Sequence, residues 1–294
     1  MKGLDPGYIA ARRVLLDALF ALAPHGDAII VVGAQAVYLR TGGADLAIAP
    51  YTTDGDLAIN PTLLGEDPLI NQAMINANFT PTSDPEGNVL PGIWVTAADV
   101  NGRSVLIPVD LMVPEAVAPP GGHRGARLGP HGNRTARSTI GLEAALMDHS
   151  TMEIRSLDES ETRSLMVEVA GTSALLVAKA HKIHDRVKIG NVRRLDDKDA
   201  SDVVRIMQTT EARVTGQKLV ELMADPICGT ATRDAMKYLT QLFGRRGSAG
   251  IQMASRALQL AMPTDTVEVI CTSYIANMST QIRELDPSYK QRTK

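Results

Sequence analysis

The sequence predicts an α/β fold: a mixed sheet with flanking helices over residues 1–200, then a helical domain over residues 201–294. Three observations predict it. Short β-prone runs at 28–32, 56–59, 105–113 and 164–169 alternate with segments of helical periodicity. The runs 28–32 and 164–169 lead through Gly33 and Gly171 into helical patterns. From Asp199 onward the pattern is helical almost throughout, broken near Pro226 and over 244–250.

The elements follow in order. Asp5 and Pro6 are the cap and first-turn residues of a helix over 6–22, because aspartate accepts free helical N–H groups and proline needs none. Asp17 interrupts the apolar stretch 14–24, and Leu15, Leu19 and Leu22 recur at helical spacing, which favours an amphipathic helix over a signal peptide. Ala28-Ile29-Ile30-Val31-Val32 reads as a buried strand running into Gly33 and a helix over 34–40. A strand over 56–59 and a helix over 68–78 come next. Strands over 92–95 and 105–113 read as a hairpin turning at Asn101-Gly102. Residues 119–137 read as a mobile loop, with tandem prolines, several glycines, four arginines, two histidines and no acid. A strand over 164–169 leads into a helix over 173–186.

Composition narrows the function classes. The chain of 294 residues carries a net charge of -3, which gives no global attraction to nucleic acid or membrane. One Trp, six Tyr and three Phe argue against a row of aromatic rings that stacks single-stranded bases. Two cysteines, Cys228 and Cys271, make no thiolate zinc site, and two free buried thiols are expected in a cytoplasmic protein. No apolar run is long enough to span a membrane.

Candidate chemistry lies at five places. Asp54 and Asp56 flank Gly55 at a strand start and point to one face; they are either an Asp-Gly turn or two carboxylates around a cation. Asp110 sits between Val109 and Leu111, and is either an exposed strand end or a third carboxylate brought to the pair by strand pairing. Three such oxygens suit Mg²⁺. Gly33, at a strand-to-helix turn, offers either a plain turn or an anion site at a helix N-terminus; no Walker A or G-x-G-x-x-G run accompanies it. Lys179 and Arg186 share a helix face with Leu176 and Ile183, and either snorkel to water or point into a phosphate-lined cleft. His181 and His184 read as surface residues, and Asp199 and Asp202 as first-turn acids that favour the helix dipole.

The order of these residues resembles a known family. Val31-Val32-Gly33-Ala34-Gln35-Ala36-Val37, Thr53-Asp54-Gly55-Asp56-Leu57, Asp110, Ala178-Lys179-Ala180-His181-Lys182 and Lys198-Asp199-x-x-Asp202 are similar to the motifs of AbiEii/AbiGii-type nucleotidyltransferase toxins. That group includes the MenT toxins and belongs to the DNA polymerase β-like nucleotidyltransferase superfamily. The resemblance covers about residues 26 to 205 and is sparse in identities. It implies a polymerase β-like fold and transfer of a nucleoside monophosphate from an NTP, with pyrophosphate leaving. The acceptor it implies is RNA, the tRNA 3′ end in several relatives, and a cognate antitoxin is the expected protein partner. Asp54, Asp56 and Asp110 would hold Mg²⁺, or Mn²⁺ in its place; Gly33, Ala34, Arg40, Thr53, Lys179 and Arg186 would surround the nucleotide, and Asp199 would complete the catalytic set. The arginines of the basic loop, Arg124, Arg127, Arg134 and Arg137, are candidates for RNA phosphate contacts. Two departures stand out. Ala34 replaces the usual serine or glycine, and Pro50-Tyr51 stands where relatives often place an arginine, a role for which Arg40 is the candidate substitute.

Overall fold

A computed structural model describes residues 4–42, 51–118, 124–189 and 197–289. Pro50 and the 119–123 part of the basic loop lie outside the described residues. The first helix, α1 (Pro6–Ala21), starts where the sequence places it. Asp5 has extended backbone and its Oδ1 accepts from the N–H groups of Gly7 at 2.8 Å and Tyr8 at 3.2 Å. The chain then runs through β1 (Ile29–Val32), α2 (Gly33–Thr41), β2 (Gly55–Ile59), α3 (Ile70–Asn76) and β3 (Thr80–Ser83). β4 (Val89–Val100) and β5 (Arg103–Pro114) form the expected hairpin. Asn101 and Gly102 both have positive φ, 54° and 77°, as a two-residue type I′ turn requires. β6 (Arg137–Thr139), β7 (His149–Arg155) and β8 (Ser164–Ala170) complete the strands.

These strands make one mixed sheet in the order β3-β4-β5-β2-β1-β8-β7. β2 runs parallel to β5, β1 runs parallel to β8, and the other pairs along this order are antiparallel. β6 pairs in parallel with the last residues of β5, Met112 to Pro114, past the end of the β4 register. A Cβ on Gly55 would lie 3.2 Å from Leu15, so α1 packs against that face of β2. Side chains alternate along a strand, which sends Asp56 to the opposite face. The described part of the basic loop is not a loose segment. Ala126 donates to the Ala136 carbonyl, Trp94 Nε1 donates to the Thr135 carbonyl, and Ala126, Leu128 and Ala136 are buried.

Helices follow: α4 (Thr172–Ile189), α5 (Asp197–Thr209), α6 (Ala212–Ala224), α7 (Gly229–Phe243), α8 (Ala249–Leu258) and α9 (Thr264–Leu285). α5 packs on α2, α4 and α8, α7 packs on α4, and the buried apolar residues form one cluster running from α1 to α9. The helix breaks fall at the expected Pro226 and 244–250 regions, with further breaks at 210–211 and 259–263. Cys228 and Cys271 are both buried and unbridged. Among the described residues no helix is long and apolar enough to cross a membrane.

The cap at Asp5 gives a direct check. Asp5→Ala leaves two N–H groups of α1 without their acceptor and should cost about 1 kcal/mol. In urea denaturation the midpoint should fall with an unchanged slope.

Candidate functional site

Strand register builds the acidic part of the site. β2 and β5 pair so that Asp56 lies directly beside Asp110, and β1 and β2 pair so that Asp56 lies beside Val32. Both aspartates therefore share the sheet face opposite α1, and Asp54 stands just before β2. Buried Thr52 donates its hydroxyl to Asp54 Oδ1, and Lys198 Nζ donates to the same hydroxyl at 2.7 Å. Gln35, also buried, donates from Nε2 to the Asp54 carbonyl at 3.0 Å, while its Oε1 accepts from Arg12 Nε at 2.7 Å.

Gly33 is required twice over. Its φ is +68°, and a Cβ there would sit 1.9 Å from Asp56 Oδ2. The Asp56 carboxylate thus lies against the first residue of α2 with no room for a side chain between them. Ala34 follows, buried in the first turn.

The electrostatics are those of crowded like charges. The Asp56 carboxyl is pushed up to about 7, chiefly by burial and further by Asp54 and Asp110, with Lys182 and Lys179 pulling against the rise. Burial also raises Asp110, with the Arg137 guanidinium pulling it down and Asp54 opposing. Arg137 donates to Asp110 Oδ2 at 2.6 Å. That contact makes Arg137 part of the acidic site, whereas Arg124, Arg127 and Arg134 are exposed on the loop leading to it.

A layer of cations on α4 and α5 faces these acids. Lys179 is buried and donates to Asp199 Oδ1 and Asp202 Oδ2, both at 2.6 Å. Burial alone would lower its pKa, but the two carboxylates outweigh it and hold the ammonium well above its ordinary value. Burial opposes ionisation of Asp199 as well, yet Lys179, Lys182 and Arg186 hold it well below the usual carboxylate range. Arg186 donates to Asp199 Oδ2 at 2.7 Å, and Lys182 lies 3.2 Å from Asp199 Oδ1. Asp199 in the first turn of α5 and Asp202 in the second thus have a stronger role than favouring the helix dipole: they neutralise a buried lysine. Lys179 neither snorkels nor points into an open cleft, and Asp199 is fully engaged by cations.

Other expected residues stand elsewhere. Arg40 donates from Nε to the Ala170 carbonyl at 2.9 Å and from NH2 to the Val169 carbonyl, so it secures the end of β8 rather than standing beside the carboxylates. Thr53 lines a small cavity with Asp5, Gly7 and Tyr51, on the α1 side. His181 is buried, with Nε2 2.8 Å from the Ala231 carbonyl, and His184 stacks on Tyr238 at 3.6 Å. Packing of α7 on α4 covers what the sequence alone presents as a surface pair.

Sequence reasoning missed Thr52, Gln35 and Lys182 as site residues. Gln35 carried a signal, a polar residue inside Val31-Val32-Gly33-Ala34-Gln35-Ala36-Val37. Thr52 and Lys182 gain meaning only from partners far along the chain.

Among the described residues no three His, Cys, Asp or Glu side chains are arranged to hold a metal ion. Asp110 is turned onto Arg137 and Asp54 onto Thr52. The donor set still fits a hard divalent cation, because the charge of Asp54 disfavours ionisation of both Asp56 and Asp110, and crowded carboxylates gain most from a shared positive charge. The chain matches no protein-family model, and no curated protein is significantly similar to it.

The raised Asp56 carboxyl makes a pH prediction. The folded chain holds this proton up to about pH 7, whereas an unfolded aspartate releases it near pH ~4. Stability should therefore fall as pH rises across that window. Asp56→Asn removes the effect, so denaturation in chelator should show the variant gaining on the parent between pH 5 and pH 8. Parallel pH profiles for the two proteins would contradict the assignment.

Proposed function

We propose that this chain is a Mg²⁺-dependent nucleotidyltransferase that moves a nucleoside monophosphate from an NTP to an RNA acceptor, releasing pyrophosphate. The observation that carries the reading is the placement of Asp56 beside Asp110 and against Gly33, with Asp54 next to them. Strand-borne carboxylates next to a helix N-terminus are what in-line nucleotidyl transfer needs: acids for a cation and free backbone N–H groups for a phosphate. In this reading the sheet and its helices are a polymerase β-like scaffold, and the resemblance to AbiEii/AbiGii-type toxins supplies the tRNA 3′ end as acceptor. It also supplies the toxin role and the cognate antitoxin.

Asp54 and Asp56 would hold Mg²⁺, or Mn²⁺ in its place, with Asp110 as the third ligand. The ion, when bound, supplies positive charge to the triphosphate and acidity to the acceptor hydroxyl. The remaining work falls to the chain. Thr52, Lys198 and Gln35 fix Asp54 from its side chain and its carbonyl. Asp110, raised by burial, is a carboxylate suited to take a proton from the acceptor hydroxyl. Gly33 lets the nucleotide approach the start of α2 without a Cβ in the way. Lys179 acts at one remove, holding α4 and α5 in register behind the site. The exposed Arg124, Arg127 and Arg134 would meet RNA phosphates, and Arg137 brings the end of that loop to Asp110.

Incubation with each α-³²P-labelled NTP, Mg²⁺ and total RNA tests this. Label should enter RNA of tRNA size, and Asp56→Ala should reduce it at least ~100-fold, the scale of losing a charge-stabilising group. Label on protein or on a small molecule would keep the chemistry and replace the acceptor. No transfer to anything would remove the proposal. Expression should arrest growth, and Asp56→Ala should relieve the arrest.

A further inference from the structure

Resting on the nucleotidyltransferase reading, we infer that Lys182, and not Lys179, is the lysine of α4 that binds the substrate's phosphate. Five charged side chains meet where α4 faces α5: Lys179, Lys182 and Arg186 against Asp199 and Asp202. Among the described residues three cations share two carboxylates here, and one of the three is held more loosely than the others.

Distances and burial identify which one. Lys179 is held by both carboxylates at 2.6 Å with a side chain only 5% exposed, and Arg186 lies 2.7 Å from Asp199. Lys182 is the loosest member, at 3.2 Å from Asp199, and its side chain is 45% exposed. Its departure leaves Asp199 still held by Lys179 on one oxygen and Arg186 on the other. Taking Lys179 away would instead leave two buried carboxylates without their shared cation, which is costly. A side chain that can swing at little cost is suited to meet an incoming anion; one locked between two acids is not.

Lys182 also stands on the correct side. Its ammonium lies within Coulombic range of both Asp56 and Asp110. A ligand lying between the carboxylates and α4 therefore has acid on one side and the Lys182 ammonium on the other. A metal-bound polyphosphate, positive at its ion and negative at its oxygens, has that charge pattern.

Inorganic triphosphate with Mg²⁺ is the probe, since it carries the shared chemistry of all NTPs. Calorimetric titration of the full chain should show Lys182→Ala weakening triphosphate binding about tenfold or more. Lys182→Arg should restore most of it. Lys237→Ala on α7, a similarly exposed lysine paired with Asp234, should leave affinity within about twofold and controls for net charge. The melting temperature of Lys182→Ala should stay close to that of the parent, which separates lost binding from lost folding. Equal binding by Lys182→Ala and the parent would overturn the inference while leaving the transferase reading intact. Absence of binding to the parent itself, for triphosphate and for all four NTPs, would overturn both.

Discussion

A buried ammonium between two buried carboxylates is the contact on which this architecture turns. Burial alone would strip Lys179 of its proton and keep one on Asp199; paired with each other, and with Asp202 as the second acceptor of Lys179, they hold α4 against α5. What α5 then carries follows from that docking. Lys198, at its first turn, reaches Thr52 and through it Asp54; Arg205, two turns on, donates to Thr41 of α2 at 2.8 Å. The helical part of the chain is thereby tied to the carboxylate end of the sheet through charged and hydroxyl groups as well as through the apolar core.

On the sheet side the governing constraint is register. Parallel pairing of β2 with β5 sets Asp56 beside Asp110, and antiparallel pairing of β1 with β2 carries Gly33 over the Asp56 carboxylate. Each arrangement costs stability: like charges repel, and glycine at a positive φ gives up backbone entropy. A fold built only for stability would place an apolar residue at position 56. Costs concentrated at one end of a sheet, and countered by Arg137 and Lys182 around it, are the pattern expected of a site.

Much of this was legible in the sequence, for local reasons. Asp5-Pro6, Asn101-Gly102 and the apolar runs of β1, β2 and β5 announce their elements because cap, turn and burial are written in adjacent residues. β7 carries a weak signal: Thr151-Met152-Glu153-Ile154-Arg155 alternates polar and apolar residues, but the run is short and only Ile154 is fully buried, so sequence reasoning misses the strand. β3, Thr-Pro-Thr-Ser, carries a proline and no apolar side chain, and is recognisable only by its pairing with β4. At the site the residue types and their order were readable, but the partners were not. Lys179 answers to acids 20 and 23 positions away, and Arg40 to carbonyls about 130 positions away. Spacing along one helix cannot tell a lysine locked in an ion cluster from one three residues later that stands open to the site.

Everything proposed for this site depends on Asp54, Asp56 and Asp110 binding a divalent cation, and Mn²⁺ titration followed by electron paramagnetic resonance tests that without any acceptor. The parent chain should deplete the free Mn²⁺ signal, and Asp56→Asn, which keeps the shape and removes the charge, should not. Equal depletion by the two proteins, or none by the parent, would contradict cation binding there.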